Sequence, residues 1–133
     1  MQTAVQLYSF ADSALSPTAQ LEAVAGAGFD GVEFAGLDAD TDRTRSTLDG
    51  LGLAAPSAHV PLSALESGVE SSVRSYRDLG VETVVIPILD PERLTAGTIQ
   101  WAAAAIDGVA TEVGTLDLDL AYHNHDAEFD RVD

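Results

Sequence analysis

Residues 25–34 read AGAGFDGVEF. The first part is the end of a helix, closed at Gly28 by the residue type best suited to the left-handed turn that terminates one. A short strand then starts at Phe29. Side chains alternate across a strand, so Val32 and Phe34 share an apolar face while Glu33 stands on the opposite one, at the strand's end.

Outward from this stretch the same punctuation recurs. Helices close at Gly28, Gly52, Gly80 and Gly114, and a strand follows each closure within a few residues. Residues 3–10 are expected to form the first strand, with Val5 and Leu7 on one face and Gln6 and Tyr8 on the other. Ser16 and Pro17 start a helix, a side-chain cap followed by the one helical position where proline fits. Its apolar stripe is Leu21, Val24 and Ala25. After Glu33 come a helix at 41–51 and a strand at 53–59 that sets Ser57 and His59 on one face. Ser63 and Glu66 have the spacing of a capping box, opening a helix whose stripe is Leu65, Val69, Val73, Tyr76 and Leu79. Residues 81–88 are apolar on both faces, as in a buried parallel strand. Asp90 and Pro91 open a connection into a helix with Ile99, Ala102, Ala103, Ile106, Ala110 and Val113 along one side, in which Trp101 reads as packing. Residues 116–129, LDLDLAYHNHDAEF, end the series. There Leu116, Leu118 and Leu120 face one way, and Ala121, His123 and His125 the other.

Strands alternating with helices mean βαβ units, a parallel sheet and right-handed crossovers. A doubly wound sheet that binds dinucleotides carries a glycine-rich loop after its first strand. Here that segment is SFADSALSP, residues 9–17, without glycine. The expected fold class is therefore α/β of the (β/α) TIM-barrel type, one domain over 1–133 with about five strands and four helices. A complete barrel needs eight strands and about 250 residues, so this is a partial one, its N-terminal part. An open segment is expected to leave Val84, Ile86 and Ile88 without part of their cover.

The chain carries 22 acids against six arginines and no lysine, a formal charge of −16. Such a surface repels phosphate backbones and anionic lipid, which argues against nucleic-acid and membrane partners. Acidic disorder does not apply, because 46% of the residues are hydrophobic and recur in periodic blocks. The balance is that of a protein from a salt-loving organism, in which salt screens the self-repulsion. With no cysteine there is no disulfide, thiolate metal site or cysteine nucleophile. The N-terminus lacks a basic segment followed by an apolar one, and every hydrophobic run is interrupted long before membrane-spanning length. The expected location is the cytoplasm.

In a barrel the face opposite the helix-packed one points inward. Its polar members near the strand ends are Tyr8, Glu33, His59, His123 and His125, with Gln6 and Ser57 one layer deeper. Unpaired polar groups inside a barrel cost free energy unless they serve a site. No basic cluster marks a phosphate pocket, since Arg43, Arg45, Arg74, Arg77 and Arg93 all fall in helices or their approaches.

QLYSF, AGAGFDGVEF, SAHVPL, LGVETVVIP and YHNHDAEF, taken in order along the whole chain, resemble the xylose isomerase-like TIM barrels, specifically the sugar phosphate isomerase/epimerase group. The resemblance implies a sugar or sugar-derived substrate and a divalent metal, Mn, Mg, Co or Zn, with a carboxylate moving a proton beside a carbonyl. It makes Glu33, His59 and His125 the candidate catalytic residues and Gln6, Tyr8, His123 and Asn124 the substrate-binding ones. In such barrels the metal takes a glutamate from the fifth strand's end. Here that end carries Tyr122 and His123, with Glu128 the nearest acid beyond, so the metal ligands are left unassigned. The family's other three ligands fall past Asp133, and turnover by this chain is not expected. His59 in HVP also resembles a zinc ligand of the apurinic endonucleases, but where those need a histidine after the fourth strand this chain has Ile86, Pro87 and Ile88. The non-enzymatic alternative is a partial barrel that binds a ligand or a partner chain, including a second copy of itself, through its open sheet edges.

Overall fold

The computed structural model describes residues 2–36, 40–89 and 95–129. Among them five parallel strands stand side by side in chain order: β1 (Ala4–Gln6), β2 (Gly31–Ala35), β3 (Ala54–His59), β4 (Thr83–Ile86) and β5 (Asp119–Tyr122). Helices α1 (Pro17–Gly26), α2 (Thr41–Leu51), α3 (Leu62–Ser67), α4 (Val69–Asp78) and α5 (Ile99–Gly114) connect them. Asp90 and Pro91, expected to open the last connection, lie outside the described residues.

Local signals account for most helix ends. The Ser16 hydroxyl accepts the Ala19 N–H at 3.3 Å, with Pro17 in the first turn, and the Asp40 carboxylate caps α2 through the Arg43 N–H at 3.2 Å. The helix expected from residue 63 is two helices, because Gly68 between them takes φ 155°, ψ 107°, a conformation open to glycine. Ser63 lies inside α3, whose cap is Pro61 with no side-chain bond, so the expected capping box does not form. The stripe survives the break, for Leu65, Val69, Val73, Tyr76 and Leu79 are all buried. At the end of α5 the left-handed residue is Asp117, φ 57°, rather than Gly114.

β1 is shorter than the expected strand, since Leu7–Phe10 form a 3-10 turn. Residues three apart eclipse in such a turn. Leu7 and Phe10 therefore both pack against the core, and Tyr8 between them is 70% exposed.

Alternation divides the sheet cleanly. On the helix-covered face Phe34, Ala58, Val84 and Leu120 lie opposite one another in register, and Val84 and Ile86 have no exposed surface. The expectation that these two would lose cover is corrected: they belong to the outer face, under the helices, and only Ile88, beyond the strand, is exposed. The open face carries a polar row instead. Gln6, Glu33, Ser57, Thr83 and Asp119 are register partners across all five strands.

That row depends on a bulge. Gly31 pairs with Ala54 but Glu33 pairs with Ser57, so β3 spends one residue more than β2 over this span. Pro56 sits within it, as proline does where a ladder donor is dispensable, and its carbonyl still accepts the Glu82 N–H at 3.3 Å. Without the extra residue Glu33 would face Pro56, and Ser57 and His59 would flip beneath the helices.

Candidate functional site

Glu33 is the centre of the open face. Its Oε1 accepts from Gln6 Nε2 at 2.7 Å and its Oε2 from the Ser57 hydroxyl at 2.6 Å. His59, one step nearer the strand ends, places Nε2 3.1 Å from Glu33 Oε1 and 3.1 Å from Gln6 Nε2. The tautomer decides which contact is a hydrogen bond. With its proton on Nε2 the ring donates to Glu33; with the proton on Nδ1 it accepts from Gln6. The two side chains keep 10% and 22% of their surface, His59 and Glu33 respectively.

The chain's three histidines meet here. His59 and His123 make an edge contact with centroids 5.3 Å apart, and His123 and His125 lie 4.9 Å apart. With Gln6, Tyr8, Pro87 and Ile88 they line an open cleft of about 280 Å³ at the carboxyl end of the sheet, the end at which α/β barrels bind ligands. Glu33 stands just behind that lining. Asn124 is exposed and is not among the lining residues, because the chain after β5 turns alternate side chains, His123 and His125, toward the cleft.

Burial pushes the His59 imidazolium below its ordinary value, the Glu33 carboxylate pulls the other way, and His123 and His125 push it further down. The ring is therefore neutral near pH 7. Because the folded value lies under the unfolded 6.5, the unfolded chain takes up the proton first as pH falls. The stability tied to neutral His59 is complete above that pH and is lost as pH falls through it toward the lower folded value. Urea midpoints of the native protein and a His59→Gln variant should thus converge from pH 7.5 to 5.5; a constant difference would remove His59 from the titration.

Solved structures share this arrangement of elements. A sugar phosphate isomerase/epimerase from Parabacteroides distasonis matches with a TM-score of 0.79 at 18% identity, covering 98% of this chain and 54% of its own. The fold is that of the xylose isomerase-like TIM barrels. A xylose isomerase domain containing protein from Salmonella typhimurium matches at 0.67 and 16% identity, over 90% of this chain and 47% of its own. An AP endonuclease, family 2, from Brucella melitensis matches at 0.69 and 14%, over 92% and 55%. The chain thus spans about half the length of these barrels. No protein-family model and no curated protein matches its sequence.

Barrels of this kind imply a divalent ion, and the side chains here do not fit one. Among the described residues no three His, Asp or Glu side chains form a set able to hold a metal. Glu33 is engaged by Gln6, Ser57 and His59. Glu128, the acid nearest the end of β5, is taken up as well. It accepts from the Tyr122 hydroxyl and, at 2.9 Å, from the His125 N–H. Burial first, then the hydrogen bond and charge of Glu128, push Tyr122 up to about 12, and the Tyr122 bond holds Glu128 below its ordinary value. This pair ties down the segment that presents His123 and His125.

Thr83 and Asp119 complete the polar row and were not anticipated. Their parity with Val85 and with Ala121 was the available signal. Pro87 and Ile88, which follow the fourth strand, form a wall of the cleft and were not among the expected site residues.

Proposed function

We propose that the cleft binds a sugar or sugar-derived molecule, with Glu33 and His59 as the proton-transfer pair of isomerase or epimerase chemistry. The observation that carries the reading is the shared oxygen: a carboxylate held by Gln6 and Ser57, with a neutral imidazole on the same Oε1, behind an open cleft. Glu33 takes the proton from the carbon beside a carbonyl, and His59 donates to the oxygen on which charge develops. Glu33 returns that proton to carbon, and His125, exposed at the rim, exchanges protons between the site and solvent. Gln6, Tyr8 and His123 offer contacts to hydroxyl groups. No step is routed through a metal, and net turnover is not expected of these residues by themselves.

The formal charge of −16 supports a small-molecule rather than a nucleic-acid partner. No helix among the described residues is long and apolar enough to cross a membrane.

Titration with a panel of ketoses and aldoses, followed through the imidazole NMR signals, tests the reading. Saturable shifts of all three histidines are expected. Glu33→Gln should weaken binding about tenfold or more, since a hydrogen bond to a charged group contributes roughly 1.5–3 kcal/mol. Absence of shifts across the panel, or equal affinity of the variant, refutes it.

A second reading has its own observation: among the described residues β1 and β5 each pair on one side only. An unpaired strand edge recruits another strand, and a second copy of this chain fits that description. Sedimentation at high salt discriminates, with a strict monomer at every concentration removing this alternative.

A further inference from the structure

Ser16, Pro17 and Thr18 at the start of α1 and Asp40, Arg43 and Thr44 at the start of α2 surround a cavity of about 220 Å³. Both helices follow the carboxyl ends of their strands, so the cavity lies at the same end of the sheet as the histidine cleft, and among the described residues the two share no lining. Two helix starts direct the positive ends of their dipoles at one space. Capping uses up part of what they offer: the Ala19 N–H goes to Ser16, the Arg43 N–H to Asp40, and Pro17 has none. Helix starts do not by themselves make a site.

Thr44 adds the independent observation. It is the one buried polar residue among those described, 7% exposed. Its N–H is spent on the Asp40 carbonyl at 2.9 Å. Ser46 and Thr47 in the same helix each donate to the carbonyl four residues back, at 2.9 Å, but the Thr44 hydroxyl makes no hydrogen bond among the described residues. Among the described residues no wholly buried side-chain oxygen or nitrogen lacks a partner. The Thr44 hydroxyl therefore keeps some open surface, and the cavity is a space that its residue lines. Arg43 points to the same chemistry. In a chain with 22 acids, where Arg45 and Arg74 are paired with Asp49 and Glu70, the Arg43 guanidinium has no acidic partner among the described residues.

We propose that this cavity binds a small tetrahedral oxyanion of the phosphate type, held by the Thr18 and Thr44 hydroxyls and the Arg43 guanidinium between the starts of α1 and α2. A basic cluster is not required, because the two helix starts, at about half a charge each, add to the charge of Arg43. The Asp40 carboxylate in the wall opposes the ligand and keeps the affinity in the millimolar range.

Inorganic phosphate is the probe, titrated into the isotopically labelled protein with chloride at matched ionic strength as the control and acetate as a planar comparison. Phosphate should shift the Thr18 and Thr44 amides saturably, with chloride and acetate leaving them in place. Thr44→Val and Arg43→Gln should each weaken phosphate at least fivefold. Thr44→Val should also melt at the native temperature or above it, because the lost hydroxyl has no partner among the described residues. Equal shifts with chloride, or unchanged phosphate affinity in both variants, overturn the site. A lower melting temperature for Thr44→Val overturns it too, since the hydroxyl would then be bonded inside the fold. Acetate binding without phosphate binding overturns the tetrahedral assignment.

Discussion

A Gly31→Ala protein is expected to lose about 2–3 kcal/mol of stability, the upper part of the range for overpacking a close-packed interior. A methyl group at position 31 would meet the Ala54 carbonyl oxygen at 2.7 Å and the Ala54 carbonyl carbon at 3.3 Å. These are backbone atoms of β3, so no rotamer change relieves the contact. The strands must part where the register shifts, and the bulge beyond it is what places Ser57 opposite Glu33. The variant should therefore lose histidine-cleft binding as well as stability. Gly26→Ala is the control: nothing lies within 4 Å of a methyl group there, and alanine is favoured over glycine in a helix by up to about 1 kcal/mol. Urea denaturation of the two variants side by side decides, and equal stabilities would show that the β2–β3 spacing is not fixed by glycine.

The parts of this molecule legible in its sequence are those governed by one rule at a time. Alternation alone separates Val32 and Phe34 from Glu33, and Ser57 and His59 from Ala58, and the structure keeps those faces. Glycine punctuation locates the starts of β2, β3 and β4. Where two rules compete, the reading fails. Strand alternation was carried through Phe10, but the three-residue spacing of Leu7 and Phe10 suits a 3-10 turn that packs both against the core, so the strand ends at Gln6 while Tyr8 still lines the cleft. Gly68 interrupts a helical stripe that stays buried on either side, and periodicity does not register such a break. In β4 both faces are apolar, so parity could not say whether Val84 or Val85 faces the helices; only the register with Ala58 settles it. The alignment of Ser57 with Glu33 was beyond reach for another reason. It rests on a one-residue bulge between strands 24 residues apart in sequence, and no pattern within either strand encodes the offset between them.

Lowering the salt concentration should destabilise this protein more than any of the substitutions above. A chain of 133 residues folds to a radius of gyration of about 14 Å, which puts its surface charges roughly 25 Å apart on average. Two unit charges at that distance in water repel by roughly 0.2 kcal/mol. Sixteen uncompensated charges make about 120 such pairs, or on the order of 20 kcal/mol of repulsion in the folded state when nothing screens it. Unfolding relieves part of this by moving the charges apart. If it relieves only a quarter, about 5 kcal/mol is withheld, comparable with the whole stability of an ordinary domain at about 5–15. The Debye length is about 30 Å at 0.01 M salt, longer than the molecule's radius, and about 3 Å at 1 M, shorter than most charge separations. The repulsion is therefore only partly screened at the first concentration and nearly gone at the second. Melting temperatures should rise steeply from 0.01 to about 0.5 M sodium chloride and then level off, whereas a rise that continued with sulfate but not chloride would mark strengthened apolar burial instead. Replacing exposed acids far from both cavities, such as Glu112, Asp107 and Asp78, with glutamine or asparagine should flatten the curve while leaving the high-salt plateau in place. A melting temperature that does not move between 0.01 and 1 M sodium chloride would mean that the acids are spaced to avoid one another, and the salt-loving character read from the composition would fall with it.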